Sequence, residues 1–299
     1  MDIYGATKCK LPENISVIGI MGACVAVSAA AMLNNLLIIL VVWRNRTMRN
    51  PTNFLLSSNA FTEFVYITIS TTVVCLLIFI ENSVQAFETN ELKKIHNFFL
   101  STKAFIVGPF LISAVTLAVL AVERYNALVH PMNLHRRLTK QGVKIVIFST
   151  WIVTIIATVP LSVQGMGMRT KRYYLLVTVV LVGVISFFTI AICYGRIICG
   201  ICISKTIFRE ISSATMAQDI KDKKNVVKML IANTLLFTVT RIPTIGYSMR
   251  LLSSEKSSYD CLVYVSLFGH MSAFCNPLMF ILFSKNYRDK VKKMLGSCF

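Results

Sequence analysis

The stretch AFIVGPFLISAVTLAVLAVERY, residues 104–125, carries no charge until Glu123 and Arg124 near its end. A helix rises about 1.5 Å per residue, so roughly 20 apolar residues cross the hydrocarbon core of a bilayer. Comparable apolar runs fill almost all of the chain on either side of this stretch. They predict seven membrane-spanning segments at about 16–43, 51–79, 97–129, 142–163, 173–204, 224–251 and 259–283.

The composition of the chain excludes a soluble globular protein. Hydrophobic residues make up 55% of the 299 residues, and the mean hydropathy is +0.67. The sequence lacks an alternating strand pattern, and backbone amides in lipid must be satisfied within each segment, which helices achieve. We therefore predict an all-α fold with an extracellular N-terminal segment (1–15), a seven-helix transmembrane domain (16–283), and a short amphipathic eighth helix on the cytoplasmic membrane surface with a short tail (284–299).

The positive charges are distributed between the predicted spans. The formal net charge is +18, but the basic residues do not form one soluble face, so nucleic acid is not predicted as a partner. Basic clusters follow spans one, three, five and seven: Arg44, Arg46 and Arg49; Arg136, Arg137 and Lys140; Lys205, Arg209, Lys221, Lys223 and Lys224; and Lys285, Arg288, Lys290, Lys292 and Lys293. The positive-inside rule places these regions in the cytoplasm and the N-terminus outside, as in a multi-pass plasma-membrane protein.

Short motifs occur in a fixed order along the spans. They are Asn35 in span one, Pro51-Thr52-Asn53-Phe54 opening span two, Glu123-Arg124-Tyr125 ending span three with Pro131 after it, Trp151 in span four, Phe237 and Pro243 in span six, and Asn276-Pro277-Leu278-Met279-Phe280 in span seven. Together they resemble the motifs of class A, rhodopsin-like G-protein-coupled receptors over essentially the full chain. The resemblance implies a receptor that senses an extracellular ligand and activates heterotrimeric G proteins, with no catalytic residues and no cofactor.

The end of span three is the candidate surface for G-protein coupling. Arg124 is placed to reach the cytoplasmic interface, where its guanidinium can rest against Glu123. The resemblance implies that this arginine contacts the G protein after helix six swings outward, and that Met132 fills an apolar pocket of the Gα subunit. The alternative is an arginine that merely reaches from a helix end to the membrane surface.

Two prolines and one aromatic residue complete the candidate switch. Pro243 and Pro277 each remove an amide donor and free the carbonyl four residues earlier, which predicts a kink with an unpaired acceptor in each helix. Phe280 stands where the family usually has a tyrosine. A hydrogen bond from a hydroxyl at that position is therefore not expected.

Polar residues at membrane depth are costly and usually functional. Glu63 in span two is the principal one, and its companions are Ser113, Ser272 and Asn276. In the family an aspartate binds sodium at the matching position, whereas a glutamate here could bind sodium, hold a proton or find another cation. Arg241 lies four residues after Phe237 and on the same helix face. We therefore predict a buried Glu63–Arg241 ion pair, with an arginine alone in a water-filled cavity as the alternative.

The outer halves of spans three, six and seven contain the candidate ligand site. Its predicted residues are Lys103, Ile106, Val107, Phe110, Thr244, Tyr247, Ser248, Ser266 and His270. Ile106 stands where amine receptors carry an aspartate, so a monoamine ligand is not predicted. The basic outer mouth favours an acidic or zwitterionic ligand through electrostatic steering. Interfacial lysines are often only membrane anchors, and an interior histidine is often a satisfied structural residue.

Four residues outside the apolar cores are candidates for covalent modification. Asn14 opens a glycosylation sequon on the predicted outer side. Cys9 and Cys261 lie on the same oxidising side and are candidates for a disulfide, with two free thiols as the alternative. Cys298 follows the basic tail and is a candidate for palmitoylation or an unmodified thiol. The four histidines are spread apart, so no metal site is predicted.

The cytoplasmic segments are short, with a third inner loop at about 205–223. In the final basic run, Tyr287, Val291 and Leu295 recur every four residues and predict an apolar face toward lipid, with lysines toward anionic headgroups. Membrane lipids are thus a predicted partner. Lys223 occupies a place where many relatives carry an acid that restrains the span-three arginine, which predicts a weaker inactive-state lock and raised basal activity.

One alternative function belongs to a different class. In a seven-helix transporter or channel, the intramembrane charges Glu63 and Arg241 would line an ion or proton path. Transporters often contain internal repeats with broken helices in matching halves, and no such repeat is visible in this sequence.

Overall fold

The computed structural model describes residues 17–86, 104–130, 133, 135, 137–162, 167–202, 214–251 and 259–296. All regular structure in these ranges is helical. The helices are α1 (Val17–Arg44), α2 (Pro51–Ala86), α3 (Ala104–Val129), α4 (Lys140–Ser162), α5 (Met168–Cys202), α6 (Ala214–Leu251), α7 (Tyr259–Phe283) and α8 (Lys285–Gly296), with a 3₁₀ turn at Arg46–Met48 between α1 and α2. The predicted all-α, seven-helix bundle with a short eighth helix is confirmed.

Local sequence signals explain where several helices begin. Pro51 stands at the first position of α2, where a missing amide costs nothing. Asn50 precedes it, and its Oδ1 accepts the Asn53 amide at 2.8 Å, which is the usual capping bond. Thr139 caps α4 in the same way, with its hydroxyl 3.0 Å from the Gly142 amide.

The α6 helix differs most from its predicted span. It begins at Ala214, ten residues before the expected start at 224, so the predicted inner loop at 205–223 is wrong in extent. Polar residues with good helix propensity continue the helix beyond the membrane, because nothing forces a helix to stop at the bilayer surface. Six of the other helices qualify as membrane spans by length and hydropathy over the described residues; in α6, Lys228 and Arg241 lower the hydropathy.

The core of the bundle is centred on α3, which packs against α2, α4 and α5, while α1 packs against α2 and α7. Large apolar side chains on the outer faces of α4 and α5, such as Phe148, Ile156 and Phe188, are exposed. Exposed apolar residues on spanning helices face the hydrocarbon of the bilayer. The lipid-facing surface and the packed interior are therefore separated as a membrane bundle requires.

The eighth helix turns back onto the bundle. Tyr287 and Val291 are 3% and 7% exposed and belong to the same apolar cluster as the inner ends of the other helices. The prediction that these two residues face lipid was wrong, because the inner ends of α1 and α7 offer apolar surface closer than the bilayer. The side chain of Leu295 lies outside the described residues. Lys285, Arg288, Lys292 and Lys293 are exposed.

Candidate functional site

The centre of the bundle holds an ion pair between α2 and α6. Arg241 Nη2 lies 2.5 Å from Glu63 Oε2, and both side chains are almost completely buried, at 2% and 1% exposure. Ser113 on α3 donates to the other carboxylate oxygen at 3.2 Å. Charge-assisted bonds of this kind compensate part of the cost of burying both charges. Three helices therefore meet at one carboxylate.

Aromatic rings surround the guanidinium. The Arg241 Cζ atom lies 4.0 Å from the centre of the Tyr66 ring and 5.5 Å from that of Phe237. Phe237 in turn stacks on Phe110 of α3, with centroids 5.7 Å apart and the planes nearly parallel. A cation over an aromatic face gains electrostatic energy in a dry environment. The rings thus hold the arginine in the orientation that reaches Glu63.

Gly269 of α7 makes room for this arrangement. A Cβ atom at Gly269 would overlap the Tyr66 hydroxyl, far inside van der Waals contact. A tyrosine ring is rigid, and both residues are buried. Only glycine therefore allows α7 to approach the ring that supports Arg241.

His270, predicted to contact ligand, is instead bonded within the bundle. Its Nδ1 lies 3.1 Å from Ser28 Oγ, and its Nε2 lies 3.2 Å from Ser70 Oγ. Ser28 already donates to the Cys24 carbonyl at 2.6 Å and accepts from Thr71. It must therefore accept the proton of His270 Nδ1, which leaves Nε2 to accept from Ser70. Both ring nitrogens of a neutral histidine are satisfied between α1 and α2.

The carbonyl freed by Pro277 has a partner. Asn35 of α1 donates to the Ala273 carbonyl at 2.8 Å, and the same amide group also donates to Ala31 within its own helix. The expectation of an unpaired acceptor at this kink was wrong, because a neighbouring helix supplies a side-chain amide, as is common where proline interrupts a membrane helix. Asn35 thereby ties α1 to α7 one turn before Pro277.

At the inner end of α3, the adjacent residues Glu123 and Arg124 make different contacts. Glu123 accepts the Leu138 amide at 3.1 Å, so its carboxylate holds the loop before α4. Among the described residues Arg124 forms no ion pair with Glu123, and its buried Nε makes no hydrogen bond there. The expected direct contact between the two charges was wrong: no salt bridge joins them, and Glu123 instead accepts the Leu138 amide. Tyr125 next to them reaches His130, with its hydroxyl 3.3 Å from Nε2.

A phenol from α8 lies beside this arginine. The Tyr287 ring packs on Phe280, with centroids 6.2 Å apart. Burial raises the pKa of the Tyr287 phenol above its ordinary value, and the positive charge of Arg124 acts in the opposite direction. Phe280 has no hydroxyl, and the Tyr287 hydroxyl makes no hydrogen bond within the described part of the chain.

The remaining predicted site residues are dispersed. Ser272 and Asn276 are buried, but the Ser272 hydroxyl and the Asn276 amide make no hydrogen bond within the described part of the chain; of the three companions named for Glu63, the structure brings Ser113 to the carboxylate. Val107 and Ser266 are buried in α3 and α7. Phe110 lines a cavity of about 260 Å³ with Phe237 and Arg241.

Several predicted positions fall outside the described residues. They are Cys9, Asn14, Lys103, Pro131, Met132 and Cys298, together with the side chains of Ile106, Thr244, Tyr247, Ser248 and Cys261. Among the described residues, histidine, cysteine and acidic side chains form no group able to hold a metal ion.

Two important contacts were missed from the sequence. Tyr66 follows Glu63 by three residues, so helix geometry puts both on one face, and that spacing could have identified it. Tyr287 could not be found in this way, because its role depends on the direction in which α8 folds after Ser284.

Comparison with known proteins agrees with this architecture. The family model of the 7 transmembrane receptor (rhodopsin family) matches residues 34–280. The QRFP-like peptide receptor of Branchiostoma floridae is 24% identical, over 91% of this chain and 76% of that protein. Growth hormone secretagogue receptor type 1 of Sus scrofa is 29% identical, over 93% and 81%. The neuromedin-K receptor of Homo sapiens is 25% identical, over 91% and 60%.

The matched region extends from the Asn35 tie in α1 to Phe280 in α7, and so contains the Glu63–Arg241 pair and its aromatic neighbours. Members of this family are multi-pass plasma-membrane receptors rather than enzymes. The chain therefore belongs to the rhodopsin family of seven-transmembrane receptors.

Proposed function

We propose that this receptor senses an extracellular ligand and activates heterotrimeric G proteins when α6 moves outward, with its N-terminus outside the cell and its C-terminus in the cytoplasm. The observation that carries the proposal is the state of Arg124. Its guanidinium lies at the inner end of α3 without an ion pair to Glu123, whose carboxylate is held by Leu138. An arginine that makes no salt bridge to its neighbour keeps its guanidinium N–H donors for a docking partner.

The inner face proposed for the G protein combines several elements. Arg124 and Tyr125 come from the end of α3, and Pro131 and Met132 come from the loop that follows. Phe237, Pro243, Asn276, Pro277 and Phe280 make up the proposed switch in α6 and α7. Tyr287 adds a phenol beside Arg124, so α8 is proposed to take part in coupling as well.

The Glu63–Arg241 pair is proposed as the restraint on α6. Arg241 stands two residues before Pro243, so the pair fixes α6 to α2 just before the bend. An outward swing must either carry the pair intact or separate it, and separation exposes two buried charges to an apolar interior. This restraint opposes the raised basal activity predicted from Lys223. The rate of nucleotide exchange without ligand measures which of the two effects dominates.

The ligand is proposed to be a peptide with an acidic or zwitterionic end. One relative bears the name QRFP-like peptide receptor, which supports a peptide. Lys103 is one of the basic residues that the sequence predicts at the outer mouth, and Ile106 leaves no counter-ion for a monoamine. The proposed pocket consists of Lys103, Ile106, Val107, Phe110, Thr244, Tyr247, Ser248 and Ser266. His270 is not proposed as a ligand contact, because it joins α7 to α1 and α2 through Ser28 and Ser70.

Nucleotide exchange in a purified system tests the proposal. The receptor is placed in nanodiscs with each class of Gα and its βγ subunits, with and without a panel of acidic peptides. We expect exchange above that of empty nanodiscs, lost in Arg124→Ala. Arg196→Ala is the matched control, because Arg196 is an exposed arginine near the inner end of α5. Equal exchange in Arg124→Ala and the parent would contradict the role of Arg124, and ion flux in proteoliposomes would favour a transporter.

A further inference from the structure

A crevice enters the bundle between α5 and α6. Over the described residues α5 packs mainly on α3 and only lightly on α6, and the space left between them has a volume of about 260 Å³. Its inner wall contains Phe110, Phe237 and Arg241. Its rim contains Phe187, Phe188 and Ile242, which are 54%, 58% and 62% exposed.

The position of the rim decides where a ligand enters. Phe187 and Phe188 lie near the middle of the α5 span, which runs over residues 169–199. At that depth the surroundings are lipid hydrocarbon rather than water. The crevice therefore opens sideways into the bilayer, and its occupant arrives as a solute of the membrane.

The charges at the inner wall select the class of occupant. Arg241 is a cation, but Glu63 lies 2.5 Å from it, so the site is electrically neutral as a whole. A carboxylate or phosphate in the crevice would leave one buried negative charge without compensation, which is very costly in an apolar interior. An ammonium would leave one positive charge, at similar cost. An uncharged molecule incurs neither penalty.

The size of the crevice fits one hydrocarbon chain. A volume of 260 Å³ corresponds to about nine water molecules at ~30 Å³ each, and a methylene group occupies a similar volume. A single chain of about that many carbons therefore fills it, and burying each CH₂ in apolar surroundings is favourable.

We propose that this crevice binds an uncharged single-chain lipid that enters from the bilayer between α5 and α6. Its chain packs against Phe237 and Ile242, directly before Pro243, and against the stem of Arg241. An occupant there separates α5 from α6 at the level of the ion pair. The crevice meets the proposed outer ligand pocket at Phe110, which borders both, but it opens toward the bilayer between α5 and α6, and binding to it does not depend on G-protein coupling.

Two glycines on α5 provide a matched pair of variants. Gly183 lines the crevice, and a Cβ atom there would meet nothing within 4 Å. Gly195 on the same helix also has open space, is exposed, and does not line the crevice. Gly183→Leu therefore fills the cavity without a backbone clash, while Gly195→Leu makes the same chemical change elsewhere.

The test uses photolabelling of the intact receptor in phosphatidylcholine nanodiscs. The probe is a fatty alcohol with a diazirine in its chain, and labelled peptides are identified by mass spectrometry. We expect labelling around Phe187, Phe188 and Ile242 that saturates and is displaced by unlabelled fatty alcohol. The exposed face of α4 around Phe148 serves as the baseline for ordinary lipid contact, where labelling does not saturate.

Two glycine variants and a second probe separate a specific site from ordinary lipid contact. Gly183→Leu should lose the saturable labelling and Gly195→Leu should keep it, with a thermal unfolding curve showing that each variant is folded. Labelling that never saturates, or that survives Gly183→Leu, overturns the site. A fatty acid probe of the same length that labels as well as the alcohol overturns the requirement for an uncharged ligand. If Gly183→Leu does not fold, displacement on the parent receptor still separates a saturable site from ordinary lipid contact.

Discussion

Replacing Glu63 with methionine leaves the Arg241 guanidinium without its counter-ion at a position where only 2% of its side chain is exposed. Removing one partner of a buried pair typically costs about 3–5 kcal/mol, because the other charge remains uncompensated. Arg241→Met should cost less, since a stranded carboxylate can take up a proton whereas a guanidinium stays charged. Removing both charges leaves two apolar chains of similar length, so the double variant should recover much of the loss.

Unfolding can be followed with a thiol-reactive fluorogenic dye. Cys24 and Cys193 are 4% and 8% exposed, so the dye reacts with them as the bundle opens. We expect both single variants to unfold at lower temperature than the parent, and the cycle to give a coupling energy of at least about 2 kcal/mol. Lys228→Met, at an exposed position on α6, controls for the loss of a positive charge. Losses that add to within about 0.5 kcal/mol would refute the pairing.

Two further changes test the helix contacts. Gly269→Ala places a methyl group against the Tyr66 hydroxyl and should destabilise the receptor by about 1–3 kcal/mol; Tyr66→Phe should partly rescue it, and Gly246→Ala, which meets nothing within 4 Å, should be tolerated. Equal unfolding temperatures for both glycine variants would contradict the close approach. Asn35→Leu removes the donor to the Ala273 carbonyl and should cost about 1–3 kcal/mol of unfolding free energy; an unchanged thermal transition would show that the bond contributes nothing.

The sequence predicts the bundle well because hydropathy is a local property. Each span can be recognised from its own residues, and Arg241 stands out because a charge in an apolar segment needs a partner. Glu63 was identified as the partner of Arg241 because it is also a charged residue at membrane depth, on a different span. Sequence reasoning was weaker at α6, where a helix continues past the membrane and hydropathy no longer marks its start.

The contacts that sequence reasoning missed depend on directions between helices. Nothing local indicates that Glu123 accepts from Leu138, or that Tyr287 turns inward while its neighbours face outward. An amphipathic helix has one apolar face, and the sequence does not say whether that face meets lipid or protein. The position of His270 between two serines likewise depends on how α1, α2 and α7 meet.

The docking of α8 makes the environment of Arg124 depend on the phospholipids of the surrounding membrane. One side of α8 places Tyr287 beside Arg124, and the other displays Lys285, Arg288, Lys292 and Lys293. With α8 on the cytoplasmic side, as proposed, each basic residue near the anionic leaflet contributes about 1 kcal/mol of attraction. Acidic phospholipids then draw the helix toward the membrane, while the packing of Tyr287 on Phe280 holds it against the bundle. The same receptor should therefore signal with different strength in cells that differ in phosphatidylserine content alone.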